Sequence, residues 1–389
     1  MNYTETAKIK FEELIGKKDV VVLAIESSCD ETAAAVVRNG REILSDVIAS
    51  QIEIHRRFGG VVPEIASRNH TAAIDETVKE AVLQSGLTWD EIDAVAVTYG
   101  AGLLGALLVG VSYAKALAYA KNKPLIAVSH IKGHISANYL ADKTLTPPYI
   151  CLLCSGGHTA VLKVTDYEEF EVLGCTQDDA VGEAFDKAAR VLGLPYPGGP
   201  EIQKLAEKGT ASIAFPKAYR KEDTLNFSYS GLKTAVINYV HNAKDRGEPI
   251  NAADVAASFQ AAATDMLVEN AVNAAFKEGL GTVVIAGGVG ANSELRRKMT
   301  AEGRKHGLKV EYPPLGLCTD NGAMIGSAAY FSIKNGKGLA GLDLDAKATV
   351  RLEMARFCIY VRRTVRRTFS LRAHTQSERR RAILLYFFG

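Results

Sequence analysis

The chain has 389 residues, 47% hydrophobic and 23% charged, with a formal net charge of +2. That length gives room for two or three domains with a sizeable core, and the balance excludes a disordered or fibrous chain. Six cysteines are too sparse for a disulfide framework and residues 1–19 hold no apolar leader, so a reducing cytoplasm is the expected location.

The charge is unevenly spread. Residues 350–389 hold ten Arg, no Lys and two acids, a net +8 that leaves about −6 on the remainder. A mildly acidic body cannot find nucleic acid through its global field, so such a partner requires a local basic patch or a helper protein.

After an N-terminal extension over 1–19, VVLAIESSCDETAAAVV and ILSDVIAS predict a strand, a tight turn and two further strands. Residues 94–114 carry no charged side chain over a length that could span a bilayer. Strand-like AVAVTY, the glycines at 100, 102 and 105, and helical spacing into Lys115 predict instead a buried strand, a glycine turn and a buried helix, with no membrane span. The strand PLIAVS then leads into HIKGH at 130–134.

Thr146, Pro147 and Pro148 mark a join, after which YICLLCSGGHTAVLKV and YEEFEVLG repeat the opening pattern. Each half later carries an apolar strand that runs into glycines and a helix, DAVAVTYGAGLLG in the first and TVVIAGGVGAN in the second. A duplicated β-β-β-α-β-α unit predicts an α/β protein with partly parallel sheets, divided at about 20–147 and 148–345. The second half holds a mostly helical insertion over about 176–280, broken by PYPGGP and including an Ala-rich helix from Asn251 to about Lys277.

The turn ESSCDETA offers backbone N–H groups to a phosphate, with Asp30 and Glu31 placed to hold an ion or polarise a reacting group. Taken alone, the turn reads better as a solvated hairpin tip. In the second half SGGHT fills the same position, with Ser155, Gly156 and Gly157 suited to close phosphate approach. Asn292 in AGGVGAN either bonds a ligand or caps the following helix. His130 and His134 share one helical face at i, i+4 and can bind one transition ion, for which Asp320 in CTDNGAMIG is the chosen third ligand. A zinc peptidase needs a Glu after the first His of such a pair; here that residue is Ile131. CLLC at 151–154 puts its two sulfurs on opposite faces of a strand and reads as core. Glu183 and Asp186 lie on one helical face suited to ligand hydroxyls, and FSYSGLKTA brings Lys233 to a helix start near an anion.

Eight blocks in register, IESSCDETAAAVV, FGGVVPEIASRNH, HIKGH, SGGHT, DDAVGEAFDKAARVLGLPYPGGP, FSYSGLK, GGVGANSELR and TDNGAMIG, resemble the bacterial tRNA threonylcarbamoyltransferases over about 20–345. That family was once called O-sialoglycoprotein endopeptidase. The resemblance implies two duplicated actin/Hsp70-like (RNase H-like) domains around a nucleotide cleft. It also implies transfer of threonylcarbamoyl from threonylcarbamoyl-AMP to N6 of adenosine 37 in tRNAs reading codons that start with A. It implies that His130, His134 and Asp320 hold one divalent ion, Fe2+ ahead of Zn2+, and that Leu153, Cys154, Ser155, Gly156 and Gly157 contact the adenylate. Asp186, Gly199 and Asn292 match further substrate contacts, and Asp30 with Glu31 the acidic catalytic pair. A paralogous subunit and a small ATPase are the implied partners. A metallopeptidase, and a nucleotide-dependent interaction module or kinase on the same fold, are the competing functions. The tail from about 350 has no counterpart in the family; a frameshifted or read-through end is preferred over an RNA-binding arm.

Overall fold

In a computed structural model the described residues are 2–219 and 223–350, so both readings of the Arg-rich tail lie outside them. The first half builds β1 (Val21–Glu26), β2 (Glu31–Arg38), β3 (Glu42–Ser50), β4 (Ala94–Gly100) and β5 (Leu125–Ser129). β1, β2 and β3 pair antiparallel, while β1 with β4 and β4 with β5 run parallel. The second half repeats this with β6 (Tyr149–Cys154), β7 (Thr159–Asp166), β8 (Glu169–Cys175), β9 (Thr282–Ala286) and β10 (Lys309–Glu311). Its antiparallel β6-β7-β8 meander and parallel β6-β9-β10 side match the first sheet strand for strand. The chain therefore carries the duplicated α/β fold that its sequence periodicity predicts.

The extension forms a helix, α1 (Tyr3–Gly16), opened by a capping box between Asn2 and Glu5. Next come α2 (Ile52–Arg56), α3 (Pro63–Ser85), α4 (Leu104–Lys121) and α5 (His130–Ala141). α3 and α4 bury one face of the first sheet, with Ile74, Val78, Leu107 and Val111 against Leu23, Ile25 and Val97. Among the described residues no helix is long and apolar enough to cross a membrane. The insertion supplies α6 (Val181–Val191), α7 (Gly198–Ala206), α8 (Ser230–Asp245) and α9 (Ala252–Glu278), which cover the second sheet through Phe185, Phe259 and Leu267. α10 (Ser293–His306) completes that cluster with Leu295 and Met299.

One boundary differs from the sequence expectation. α11 (Gly322–Lys334) and β11 (Leu339–Ala340), placed by sequence in the second half, return to the first sheet, where β11 pairs with β5. The apolar face of α11, with Met324, Ile325, Ala328 and Ala329, is buried against Val22, Ala24 and Ile126, an area the first half leaves uncovered. α1 joins the same cluster through Phe11 and Leu14. α11 also packs along α5, where a Cβ on Gly133 would lie 2.7 Å from Ile325 Cδ1, so glycine permits the close approach.

Because Phe11 lies inside this cluster, Phe11→Ala should cost about 3 kcal/mol of stability, read by urea unfolding. A loss below about 1 kcal/mol would mean that α1 contributes little to the first-half core.

Candidate metal centre and cleft

α5 starts directly after β5, which places His130 at the carboxyl end of the parallel part of the first sheet, where α/β folds present ligand sites. One turn on, His134 stands beside it, with ring centroids 4.5 Å apart. Asp320 approaches from the start of α11. Asn321 Oδ1 accepts the Met324 N–H at 2.8 Å, and Asp46 Oδ1 accepts those of Gly322 and Ala323, so the helix start that carries Asp320 is firmly capped. Asp320 Oδ1 lies 3.5 Å from His130 Nε2 and 3.4 Å from His134 Nε2. Donors about 2.1 Å from a common tetrahedral ion stand about 3.4 Å apart, so the spacing fits a single ion. The three ligand atoms all lie within 4.8 Å of one another.

The chemistry of His134 supports the same reading. Both of its ring nitrogens are buried without a hydrogen-bond partner, a costly arrangement unless a ligand takes one of them. Burial first, then the neighbouring His130 and His158, hold it well below the usual histidine range, so the imidazole is neutral as a ligand must be. His130 differs. Burial opposes its protonation, but Asp320 and Glu26 outweigh burial and lift it to about 9. Its Nδ1 lies 3.2 Å from Glu26 Oε2 and 3.1 Å from Ser28 Oγ, which leaves Nε2 for an ion in a carboxylate–histidine–metal line. Glu26 is fully buried, yet His130 and hydrogen bonds from the Ser28 N–H and the Thr98 hydroxyl, each 2.5 Å, outweigh desolvation and hold it ionised. The sequence reading did not single out Glu26, Ser28 or Thr98. The available signal was an acid closing the otherwise apolar strand VVLAIE.

The acidic turn divides into two environments. Asp30 is half-buried and its Oδ2 lies 3.4 Å from the Tyr196 hydroxyl, which reaches across from the second half. Glu31 is only 9% exposed. The Ser50 hydroxyl donates to Oε1 at 2.8 Å, while Oε2 is buried without a partner, and burial pushes the carboxyl up to about 7. Asp320 is pushed up to about 6, burial outweighing the charge of His130.

The second-half residues that the sequence singles out have mixed roles. Gly156 and Gly157 border open space at the β6-β7 turn, and Ser155 braces that turn by donating its N–H to the His158 carbonyl at 2.8 Å. Leu153 and Cys154 are fully buried strand residues whose side chains pack the core. Asp186 accepts the Gly198 N–H at 2.7 Å and so pins PYPGGP, while Gly199 borders open space. Glu183 pairs with Lys187 at 3.4 Å, and Lys233 is taken up by Asp179 at 2.8 Å. Asn292 caps α10, accepting the Leu295 N–H at 3.0 Å and donating to Gln260 Oε1 at 2.8 Å.

Residues 42–327 match the family model described as TsaD: tRNA N6-adenosine threonylcarbamoyltransferase. A Clostridium perfringens protein named tRNA N6-adenosine threonylcarbamoyltransferase is 57% identical over 333 residues, covering 85% of this chain and 98% of its own length. One from Clostridium novyi is 56% identical over 337 residues, 86% of this chain and 98% of its own. Among solved structures, full-length HypF in its phosphate- and nucleotide-bound form aligns with 82% of this chain and 47% of its own, at TM-score 0.56 and 16% identity. HypF of T. kodakarensis aligns with 84% and 49%, at TM-score 0.53 and 16% identity. Those two likenesses concern the fold alone, an actin-like pair of RNase H-like units.

Glu31 has a consequence for stability. A carboxyl raised from 4.5 to about 7 binds its proton more tightly when folded, so its contribution is fully present below pH 4.5 and is lost as pH rises through about 7. In metal-free protein Glu31→Gln should therefore gain up to about 3 kcal/mol over wild type at pH 8 and little at pH 4.5, read by urea unfolding at both pH values.

Proposed function

The chain belongs to the tRNA N6-adenosine threonylcarbamoyltransferase family, and from that premise we propose that it moves threonylcarbamoyl from threonylcarbamoyl-AMP to N6 of adenosine 37 in tRNAs reading codons that start with A. The enzyme is a transferase that acts in tRNA modification. The observation that carries the detailed reading is the pair of unpartnered nitrogens on His134, buried beside His130 and Asp320.

The reaction needs little covalent chemistry from the protein. The N6 amine forms a bond to the carbamoyl carbon, the bond from that carbon to the phosphate oxygen breaks, AMP departs, and N6 gives up one proton. His130 through Nε2, His134 and Asp320 would hold one divalent ion, Fe2+ ahead of Zn2+ for two imidazoles and a carboxylate, and it would supply Lewis-acid polarisation at the carbamoyl-phosphate end. Glu26 keeps the His130 ring oriented through Nδ1. The open backbone at Ser155, Gly156 and Gly157 lets the adenylate approach closely. Asp186 holds PYPGGP, and with it Gly199, as the facing wall. Asp30 faces the cleft, whereas Glu31 Oε2 is sealed from it, so Asp30 is assigned the N6 proton. Placing the two substrates against each other supplies the remainder of the acceleration.

The competing functions have less support. Ile131, where a peptidase would carry its general base, is a buried apolar residue, and neither a kinase nor an Hsp70-like module has use for the His-His-Asp group. A paralogous subunit and a small ATPase complete the proposed assembly, in the cytoplasm.

With those partners, threonylcarbamoyl-AMP and an unmodified tRNA bearing adenosine 37, mass spectrometry should detect the modified nucleoside. His130→Ala should lower the rate at least a hundredfold, since oriented electrostatic groups of this kind are worth about 10²–10³ in rate. Absence of product with folded, metal-loaded wild type would contradict the proposal.

A further inference from the structure

A tight turn at the cleft mouth links α2 to α3. From the last residues of α2 the chain runs His55-Arg56-Arg57-Phe58-Gly59-Gly60 and turns back with Gly59 at φ +69°, in the left-handed region that favours glycine. A Cβ on Gly59 would meet nothing within 4 Å, so conformation rather than room accounts for the glycine. The turn is anchored from beneath. His55 is fully buried, its carbonyl accepts the Phe58 N–H at 2.9 Å, and its Nδ1 accepts the Val62 N–H at 3.3 Å.

The anchored turn holds an aromatic ring out in water. Phe58 is 56% exposed, although burying such a ring is worth about 2 kcal/mol or more. Arg57 beside it is exposed, and its guanidinium makes no hydrogen bond or ion pair among the described residues. Arg56 donates from Nε to the Tyr196 carbonyl at 3.1 Å and from Nη1 to Glu53 at 2.7 Å. From the second half, Arg190 donates to the Gly59 carbonyl at 3.1 Å. The turn is thus one residue away from Asp30, because Tyr196 receives Arg56 on its carbonyl and reaches Asp30 with its hydroxyl.

An exposed aromatic flanked by arginines, on a braced turn at the mouth of a nucleotide-modifying cleft, matches unpaired RNA, whose bases stack on rings and whose phosphates seek guanidinium groups. We infer that Arg57 and Phe58 form the landing platform for the anticodon loop: Phe58 stacks on a base flanking the target adenosine while Arg57 meets the adjoining phosphate. This rests on the transferase reading above. It also answers how a body of about −6 holds tRNA, since the positive groups stand locally at the cleft.

The test uses the full chain, metal-loaded and with its partner subunits, and an anticodon stem-loop RNA carrying adenosine 37 as the probe. Fluorescence anisotropy should show about tenfold weaker binding for Phe58→Leu and near wild-type binding for Phe58→Trp, because leucine retains apolar bulk without a face for stacking. Arg57→Gln should reduce the slope of log affinity against log salt by about one. In the transfer assay Phe58→Leu should raise KM for tRNA about tenfold, with kcat and the KM for threonylcarbamoyl-AMP nearly unchanged. Unaltered RNA affinity and KM in Phe58→Leu would overturn the inference, as would loss of a partner subunit from that variant with RNA affinity intact. Wild type that binds the stem-loop through Phe58 but never modifies tRNA would instead overturn the transferase reading alone.

Discussion

The site depends on a buried carboxylate facing a buried imidazole. Glu26 closes β1 inside the protein and its charge persists there because His130, the Ser28 N–H and the Thr98 hydroxyl all converge on it. In return it fixes which nitrogen of His130 faces the cleft. An ion pair this deep contributes little net stability once desolvation is included, so its value lies in orientation. The centre is thereby built on a strand end and two helix starts, which hold positions more rigidly than loops do.

The crossing of α11 back to the first sheet brings Asp320 to His130 and His134. Had the chain followed the simple division into halves, Asp320 would have remained with the second sheet, away from α5. Its place is set instead by apolar burial of Met324, Ile325 and Ala328 and by the Asp46 cap on α11. The cleft floor thus belongs to one packed body, while the groups assigned to substrate at Gly156, Gly157 and Gly199 come from the second half. Contacts such as Tyr196 to Asp30 and Arg190 to Gly59 link the two sides of the mouth by single hydrogen bonds.

Much of this was legible beforehand where local pattern decides the outcome. Strand alternation and glycine turns located both meanders, and the i, i+4 spacing put His130 and His134 on one face. The duplication showed as two similar strings of text and reappears as two sheets that share a five-stranded order, the first extended by β11. Long-range packing was not legible: α11 carries no mark in its own residues of which sheet it will cover. Glu26 was hidden for a related reason, since a charged strand end reads as solvent-facing until the partners that neutralise it are known. Asn292 stayed open between ligand and cap, and its side chain is occupied by Leu295 and Gln260. Phe58 lay within a recognised block yet carried no chemistry of its own, because exposure is invisible in a string of letters.

His130, His134 and Asp320 are placed together to hold one ion. Metal K-edge absorption on the full chain loaded with Fe2+ tests it most directly. The account predicts one ion per chain, with two imidazole nitrogens and a carboxylate oxygen in its shell, and loss of that shell in His134→Ala. A stoichiometry near zero, or a shell without imidazole, would contradict it.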